Sequence, residues 1–464
     1  MYKKFNAVNR LAAFIGMCLL FASYVPAQNS VASPTTTAQQ IAAKVDEYMN
    51  AAVRVDGFSG SILVARNGQP VVSRGYGMAN IELGVANTPQ TVFRLGSITK
   101  QFTSMAIMML QERGKLSVSE PVCKYFTDCP AAWQPLTVRN LLTHTAGIPN
   151  YTSFPDFTKT AAITTTTAEL SGRLKDKPLE FAVGEKYAYS NSGYYLLGMI
   201  IERVSGKSYA DFLQENIFAP LGMKQSGYDD PVRIIKNRAS GYAPQGDGFI
   251  NAAPIDMSMA YAAGALYSTV EDLLLWDQAL YTEKLVSRKS LDEAFTPFKS
   301  QYGYGWSIGK KFDHQEISHG GNIFGFSTYI ARFPADRLTV IVLSNNQSTS
   351  GGEIADDLAA IVFGAPYKIP QERQAIQIDA KKLEKYVGLY QVTPTITLNI
   401  TLENGKLMGE LPGQPKFELF AESETVFFMK TIKGQVSFAP DAQGAVTGMT
   451  LRLGKNDIPA KKIK

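Results

Sequence analysis

Strand-like alternation at both ends of the first three-quarters of the chain, enclosing a long helical middle, most limits what this sequence can fold into. Residues 61–65 and 70–74 flank Asn67-Gly68, a dipeptide suited to a two-residue hairpin turn. Strand patterns return only at 302–308, 316–319, 326–333 and 338–343. Between them the apolar residues recur at helical spacing. Phe102, Met105, Ala106 and Met109 share a face over 97–113, which stops at Gly114. Leu197, Ile200, Ile201 and Val204 do so over 193–205, which stops at Gly206, and 208–218 stops before Pro220. A further helix is predicted over 41–55, with Ile41, Val45, Met49 and Val53 on one side. The pattern predicts one α+β domain whose antiparallel sheet is assembled from both ends of the sequence.

After Pro366 and Pro370 the texture changes. Ile396, Leu398, Ile400 and Leu402 alternate strictly, Asn404-Gly405 turns the chain into 407–411, and strands follow at 425–429, 435–438 and 446–451. A second unit, a small antiparallel β-barrel, is expected there. The predicted organisation is therefore a first domain over 41–368 and a barrel over 378–464.

The N-terminus has a different character. Lys3, Lys4 and Arg10 precede an apolar run over 11–25, and Val25-Pro26-Ala27 offers small residues before Gln28. This reads as an export signal over 1–27, too short for a convincing membrane span, followed by a Ser/Thr/Pro-rich flexible leader over 28–40. The expected location is secreted or periplasmic, with no stable membrane span once the signal is removed. The formal charge of +5 falls to about +2 without those three cations. No basic run stands out, which argues against nucleic acid as a partner. Cys123 and Cys129 remain in the exported chain, and their spacing leaves a small disulfide and two free thiols both open.

Three short motifs carry chemistry. In Gly96-Ser97-Ile98-Thr99-Lys100 a serine begins a helix and a lysine follows on the same face one turn deeper. A serine hydroxyl needs a base, and a lysine whose pKa is lowered by burial or neighbouring cations is one. Alone, the motif also fits a helix-capping serine with a surface lysine. In Tyr189-Ser190-Asn191 a tyrosine beside cations would hold a lowered pKa and relay protons, and the asparagine would donate to a substrate carbonyl. An aromatic followed by an ordinary cap is the plainer reading. His319-Gly320-Gly321 closes a predicted strand. Its glycines would let a substrate backbone approach the edge, and the Asn322 N–H would face that of Ser97 as an oxyanion hole. A strand end with a turn is again the simpler alternative.

Taken together and in this order, with Leu141-Leu142-Thr143-His144-Thr145-Ala146-Gly147 between the first two, the motifs resemble the class C β-lactamase-related family, the S12 serine peptidases. The resemblance spans roughly residues 41–363. It implies a β-lactamase/transpeptidase-like fold, Ser97 as acylated nucleophile, Lys100 as its base partner and Tyr189 as proton shuttle. It also implies Asn191, His319, Gly320, Gly321 and Asn322 as substrate-binding positions. The tail resembles the lipocalin-like domain that follows the catalytic domain in some of these peptidases. His319 departs from the lysine found at this place in many β-lactamases. A largely neutral imidazole holds a substrate carboxylate less firmly, which favours peptide, amide or ester substrates over β-lactams.

Rival chemistries find little support. Gly57-Phe58-Ser59-Gly60-Ser61 approaches a nucleophile elbow but ends in serine and runs into a predicted strand. With only His144, His314 and His319 and no H-E-x-x-H motif, neither a catalytic zinc nor another cofactor is expected. His144 reads as structural. Two function classes stay open, an acyl-transfer hydrolase or a penicillin-binding receptor with little turnover. Specificity is expected in the loops over 150–177 and 229–258.

Overall fold

Asn67 and Gly68 both take positive φ, 54° and 75°, so the strands on either side are joined by the tight turn that Asn-Gly favours. Strand β1 (Gly60–Arg66) pairs antiparallel with β2 (Gln69–Tyr76). Four later strands join this hairpin: β3 (Ser307–Lys311), β4 (His314–Ile323), β5 (Phe326–Phe333) and β6 (Leu338–Ser344). In this computed structural model they form one six-stranded sheet in the order β3-β4-β5-β6-β1-β2. The late strands dock onto the early hairpin through β1 and β6, from Gly60 opposite Ser344 to Arg66 opposite Leu338. The structure describes residues 37–464 except 246–247, 395, 413–415, 431–433 and 454–455. The expected signal and all but the end of the leader lie outside the described residues.

Both faces of the sheet are covered. Ile62, Val64, Val340 and Val342 pack on helices α1 (Ala38–Asp56) and α5 (Gly351–Phe363) through Ile41, Val45, Met49, Ile354 and Leu358. The alternate residues Leu63, Ala65, Ile341 and Leu343 face the helical middle. That middle contains α2 (Thr99–Glu112), α3 (Asn191–Ser205) and α4 (Met257–Gly264). Alternation in β1 and β6 thus separates two apolar layers rather than core from solvent. Residues 38–40, expected in the leader, already belong to α1, because Thr37 and Gln40 form a reciprocal cap at its start.

Beyond Pro370, eight strands from Gly388–Gln391 to Asn456–Lys462 close into an antiparallel barrel. Leu398, Ile400, Leu407, Val436, Phe438 and Leu451 are buried in its core. The fold is an α+β domain followed by a closed β-barrel. Three barrel strands escaped the sequence pattern: Gly388–Gln391, Phe417–Ala421 and Asn456–Lys462. The first is only four residues long and the last carries Pro459, which breaks the signature of a strand. No helix among the described residues is long and apolar enough to cross a membrane.

Candidate active site

Ser97 lies in a single 3₁₀ turn, Gly96–Ile98, immediately before α2, rather than in the first turn of a continuous helix. The turn is held against β4. Gly96 has φ 53°, and a Cβ there would come 3.0 Å from the backbone nitrogen of Asn322. A Cβ on Gly321 would come 2.0 Å from the Leu95 carbonyl oxygen and 3.0 Å from the Ser97 nitrogen. Gly321 is therefore required for the Ser97 turn to seat on the strand, a reason different from access for a substrate backbone. The His319-Gly320-Gly321 triplet lies inside a strand, not at its end, because β4 continues its ladder with β5 as far as Ile323 opposite Phe326. The other neighbour, β3, reaches only to Ser318. The edge from His319 onward is consequently left open beside Ser97.

Lys100 is fully buried. Its Nζ lies 2.9 Å from Ser97 Oγ, 2.8 Å from Asn191 Oδ1 and 2.8 Å from the Ala263 carbonyl oxygen. Among the described residues no carboxylate touches it, and burial pulls its pKa well below the usual lysine range. A neutral amine satisfies the same three contacts. It donates its two hydrogens to Asn191 and Ala263 and offers its lone pair to the Ser97 O–H. The α2 helix supplies the lysine, α3 the asparagine and α4 the carbonyl, so three helices meet at one nitrogen.

Tyr189 places its ring 4.9 Å from Lys100 Nζ. The side chain is 36% exposed although its hydroxyl end is buried. Its pKa is raised, not lowered as the sequence suggested. Burial dominates and a hydrogen bond with Ser97 opposes it only in part. The expected pair of cations is missing, since Lys100 is itself driven toward neutrality and position 319 is a neutral histidine. Tyr189 is thus a protonated phenol at neutral pH. Asn191 uses its amide hydrogens on Asn150 Oδ1 and Thr152 Oγ1, 3.3 and 3.2 Å away, as well as accepting from Lys100.

His319 is 6% exposed. Its Nδ1 contacts the Gly320 carbonyl oxygen, which only accepts, so Nδ1 carries the proton. Its Nε2 then accepts from the Tyr302 hydroxyl at 2.9 Å. Burial, followed by the charge of Lys100, lowers its pKa to about 4. Both nitrogens are occupied by the protein, and the imidazole is neutral at physiological pH.

Several contributors carried no sequence signal. Tyr302 fixes the tautomer of His319, Asn150 and Thr152 hold Asn191, and Ala263 anchors Lys100. His144 was visible but read as structural. Its backbone takes φ 55°, its carbonyl accepts from the Ala188 N–H at 2.9 Å, and its Nδ1 accepts from the Ser190 N–H at 3.2 Å. Its ring packs 4.3 Å from that of Tyr189. One residue therefore grips the tyrosine from both neighbouring peptides and from the ring face. Its pKa is lowered well below the ordinary value, by burial first and then by Lys100 and His319. Farther away, Cys123 and Cys129 form a disulfide with an S–S length of 2.05 Å.

A cavity of about 410 Å³ opens at Ser97. Its polar lining includes Thr152, Asn191, Asn322 and Gln347. Neither Tyr189 nor the His319-Gly320-Gly321 triplet forms part of the wall. Among the described residues no cluster of three or more His, Cys, Asp or Glu side chains is placed to hold a metal.

Comparison with known proteins gives the family. The family model described as Beta-lactamase matches residues 41–363, and a second model, a domain of unknown function named DUF3471, matches 372–462. Penicillin-binding protein 4* of Bacillus subtilis (strain 168) is 32% identical over 408 residues, covering 82% of this chain and 90% of its own. The octameric penicillin-binding protein homologue from Pyrococcus abyssi superposes with a TM-score of 0.65 at 26% identity, covering 90% of this chain and 99% of that one. The D-amino acid amidase from Ochrobactrum anthropi SV3, solved with D-phenylalanine, gives 0.61 at 25% identity, covering 70% and 98%.

Proposed function

This chain belongs to the Beta-lactamase family, and on that premise we propose that it is an exported serine hydrolase acting through an acyl-enzyme at Ser97. Its substrates are small peptides, amides or esters, in the manner of S12-type D-amino acid peptidases and esterases. The observation that carries this reading is Lys100, buried without a carboxylate and in contact with Ser97 Oγ. Its amine takes the Ser97 proton as Oγ attacks the scissile carbonyl. The backbone N–H groups of Ser97 and Asn322 receive the developing oxyanion. As the tetrahedral adduct collapses, the Tyr189 phenol gives its proton to the leaving group and is reprotonated by the Lys100 ammonium. Water then repeats the sequence in reverse and frees Ser97. The likeness to the D-amino acid amidase supports amide cleavage as a reaction class.

His319 supports the preference for substrates without a carboxylate at that position. A neutral, buried imidazole with both nitrogens engaged offers no cation there. The barrel, lipocalin-like by its closed eight-stranded form, serves access or assembly rather than chemistry, since all three motifs precede Pro366. The test is covalent labelling. A fluorophosphonate should modify the wild type at Ser97, read by peptide mass spectrometry, and should leave folded Ser97→Ala unmodified. Labelling of Ser97→Ala at the wild-type level would remove the assignment.

A further inference from the structure

Helix α4 is kinked at its middle. Tyr261 there has φ 39° and ψ −134°, a combination that residues with a side chain rarely adopt and that persists only where the surroundings enforce it. Those surroundings are identifiable. The Tyr261 ring is buried between those of Tyr195 and Tyr209, with centroids 5.0 and 5.3 Å away. Against it lies Gly198 of α3, where a Cβ would come 2.5 Å from Tyr261 Cε1 and 2.4 Å from the Ala262 Cβ. Only glycine lets α4 approach α3 this closely. Gly198 stands two turns after Asn191, hence on the same face of α3. That face gives Lys100 one contact directly and seats the segment that gives it another. Before the kink, the carbonyl oxygens of Met257, Ser258 and Met259 receive the hydroxyls of Tyr228, Tyr195 and Tyr151 at 3.2, 3.3 and 2.6 Å. After it, the Ala262 carbonyl receives Thr103 Oγ1 at 2.7 Å and the Ala263 carbonyl receives Lys100 Nζ at 2.8 Å. Both of these donors stand on α2, so the residues past the kink grip α2 at two points.

We propose that Tyr261 and Gly198 are positioning residues for the base: the positive-φ backbone at Tyr261, held by its ring and seated on Gly198, aims the Ala263 carbonyl at Lys100 and so fixes which way the amine faces. A neutral amine has two hydrogens and one lone pair. With the hydrogens committed to Asn191 Oδ1 and the Ala263 carbonyl, the lone pair is left for the Ser97 hydroxyl. When the Ala263 carbonyl swings away, one hydrogen is released and the amine turns it to Ser97 Oγ, where it opposes proton abstraction instead of performing it. Neither Gly198 nor Tyr261 lines the cavity at Ser97, and both act through the lysine.

This inference rests on the serine-hydrolase reading, and the experiment separates the two. Gly198→Ala adds a methyl that pushes on Ala262 and on the Tyr261 ring. Tyr261→Gly accepts the backbone but removes the ring that holds it, and Tyr261→Phe keeps both. Acylation by a 4-nitrophenyl ester is followed as a single-turnover rate constant across pH, a first-order value that does not depend on how much of the sample is folded. Gly198→Ala and Tyr261→Gly should each acylate at least about 10-fold more slowly, with the half-saturating ester concentration little changed. Their acid limb should also move to lower pH by about 0.5 unit or more, because the carbonyl holds an ammonium more firmly than an amine and its loss favours the neutral form. The other titratable groups facing Lys100 are Tyr189, Tyr194, His144 and His319, and all variants retain them. Tyr261→Phe should stay within about 3-fold of wild type with its limb in place. An acid limb that does not move in Gly198→Ala and Tyr261→Gly would overturn the positioning role; where Gly198→Ala does not fold, Tyr261→Gly decides alone. Tyr261→Phe losing as much as Tyr261→Gly would also overturn it, by placing the effect in the hydroxyl. Failure of the wild type to take a fluorophosphonate at Ser97 would instead overturn the hydrolase reading itself.

Discussion

Replacing His319 by glutamine should make the fold markedly less sensitive to acid. Glutamine keeps an acceptor for the Tyr302 hydroxyl but does not titrate. In the folded protein the His319 pKa lies near 4, against an ordinary value of 6.5. The folded pKa is depressed, so below pH 6.5 the unfolded chain binds more protons than the fold. Stability from this group is therefore complete above the unfolded pKa and is lost as pH falls from 6.5 toward 4. Integrating between pH 7 and pH 5 gives a loss of about 2 kcal/mol from His319 alone. Urea unfolding of wild type and His319→Gln at the two pH values reads it directly. The carboxylates titrate in both proteins and cancel in the difference; His144 also titrates in both and loses only the smaller part of its shift that comes from His319. The variant starts from its own stability at pH 7, so only the change with pH is compared. It should lose about 2 kcal/mol less than wild type on going to pH 5. Equal losses, to within about 0.5 kcal/mol, would mean that His319 is not held neutral by burial, and the argument from its missing charge would fall with it.

The remaining expectations concern the reaction. Lys100→Ala and Tyr189→Phe should each slow acylation about 10²- to 10⁴-fold in stopped-flow assays with a 4-nitrophenyl ester, and a Lys100→Ala protein acylating at the wild-type rate would take lysine out of the mechanism. His144→Phe keeps an aromatic plate beside Tyr189 but loses the Ser190 contact. It should lower kcat about 10-fold or more with KM little changed, whereas equal kcat would assign His144 to packing alone. A chain ending at Ala365 that is folded by circular dichroism should still take a fluorophosphonate at Ser97; a folded truncation that is not labelled, beside full-length protein that is, would give the barrel a part in the site.

What the sequence made legible follows from how far each signal reaches along the chain. Asn67-Gly68 determines its own turn, so the early hairpin was readable residue by residue, and the apolar faces of α2 and α3 were readable for the same local reason. The structure brings Ser97, Lys100 and Asn191 together, and the sequence could point to them because two of them share a turn and the third opens a helix. Two of the three partners of Lys100, Asn191 Oδ1 and the Ala263 carbonyl oxygen, nevertheless come from segments far along the chain, and nothing near Ala263 announces a lysine. The charge states were harder still. A tyrosine next to a lysine reads as acidified when the lysine is counted as a cation. Burial reverses that inference, because the same dry environment that lowers the Lys100 pKa raises that of Tyr189. Burial was not a property of either motif. It arises where α2, α3, α4 and β4 converge, and it is the basis of the roles proposed above: an amine that accepts a proton beside a phenol that gives one. The same convergence accounts for His144. A positive-φ histidine inside an apolar stretch looks like packing until Ala188 and Ser190 are seen to hang from it on either side of Tyr189. The left-handed backbone that orients its carbonyl toward one peptide leaves its ring free to reach the next.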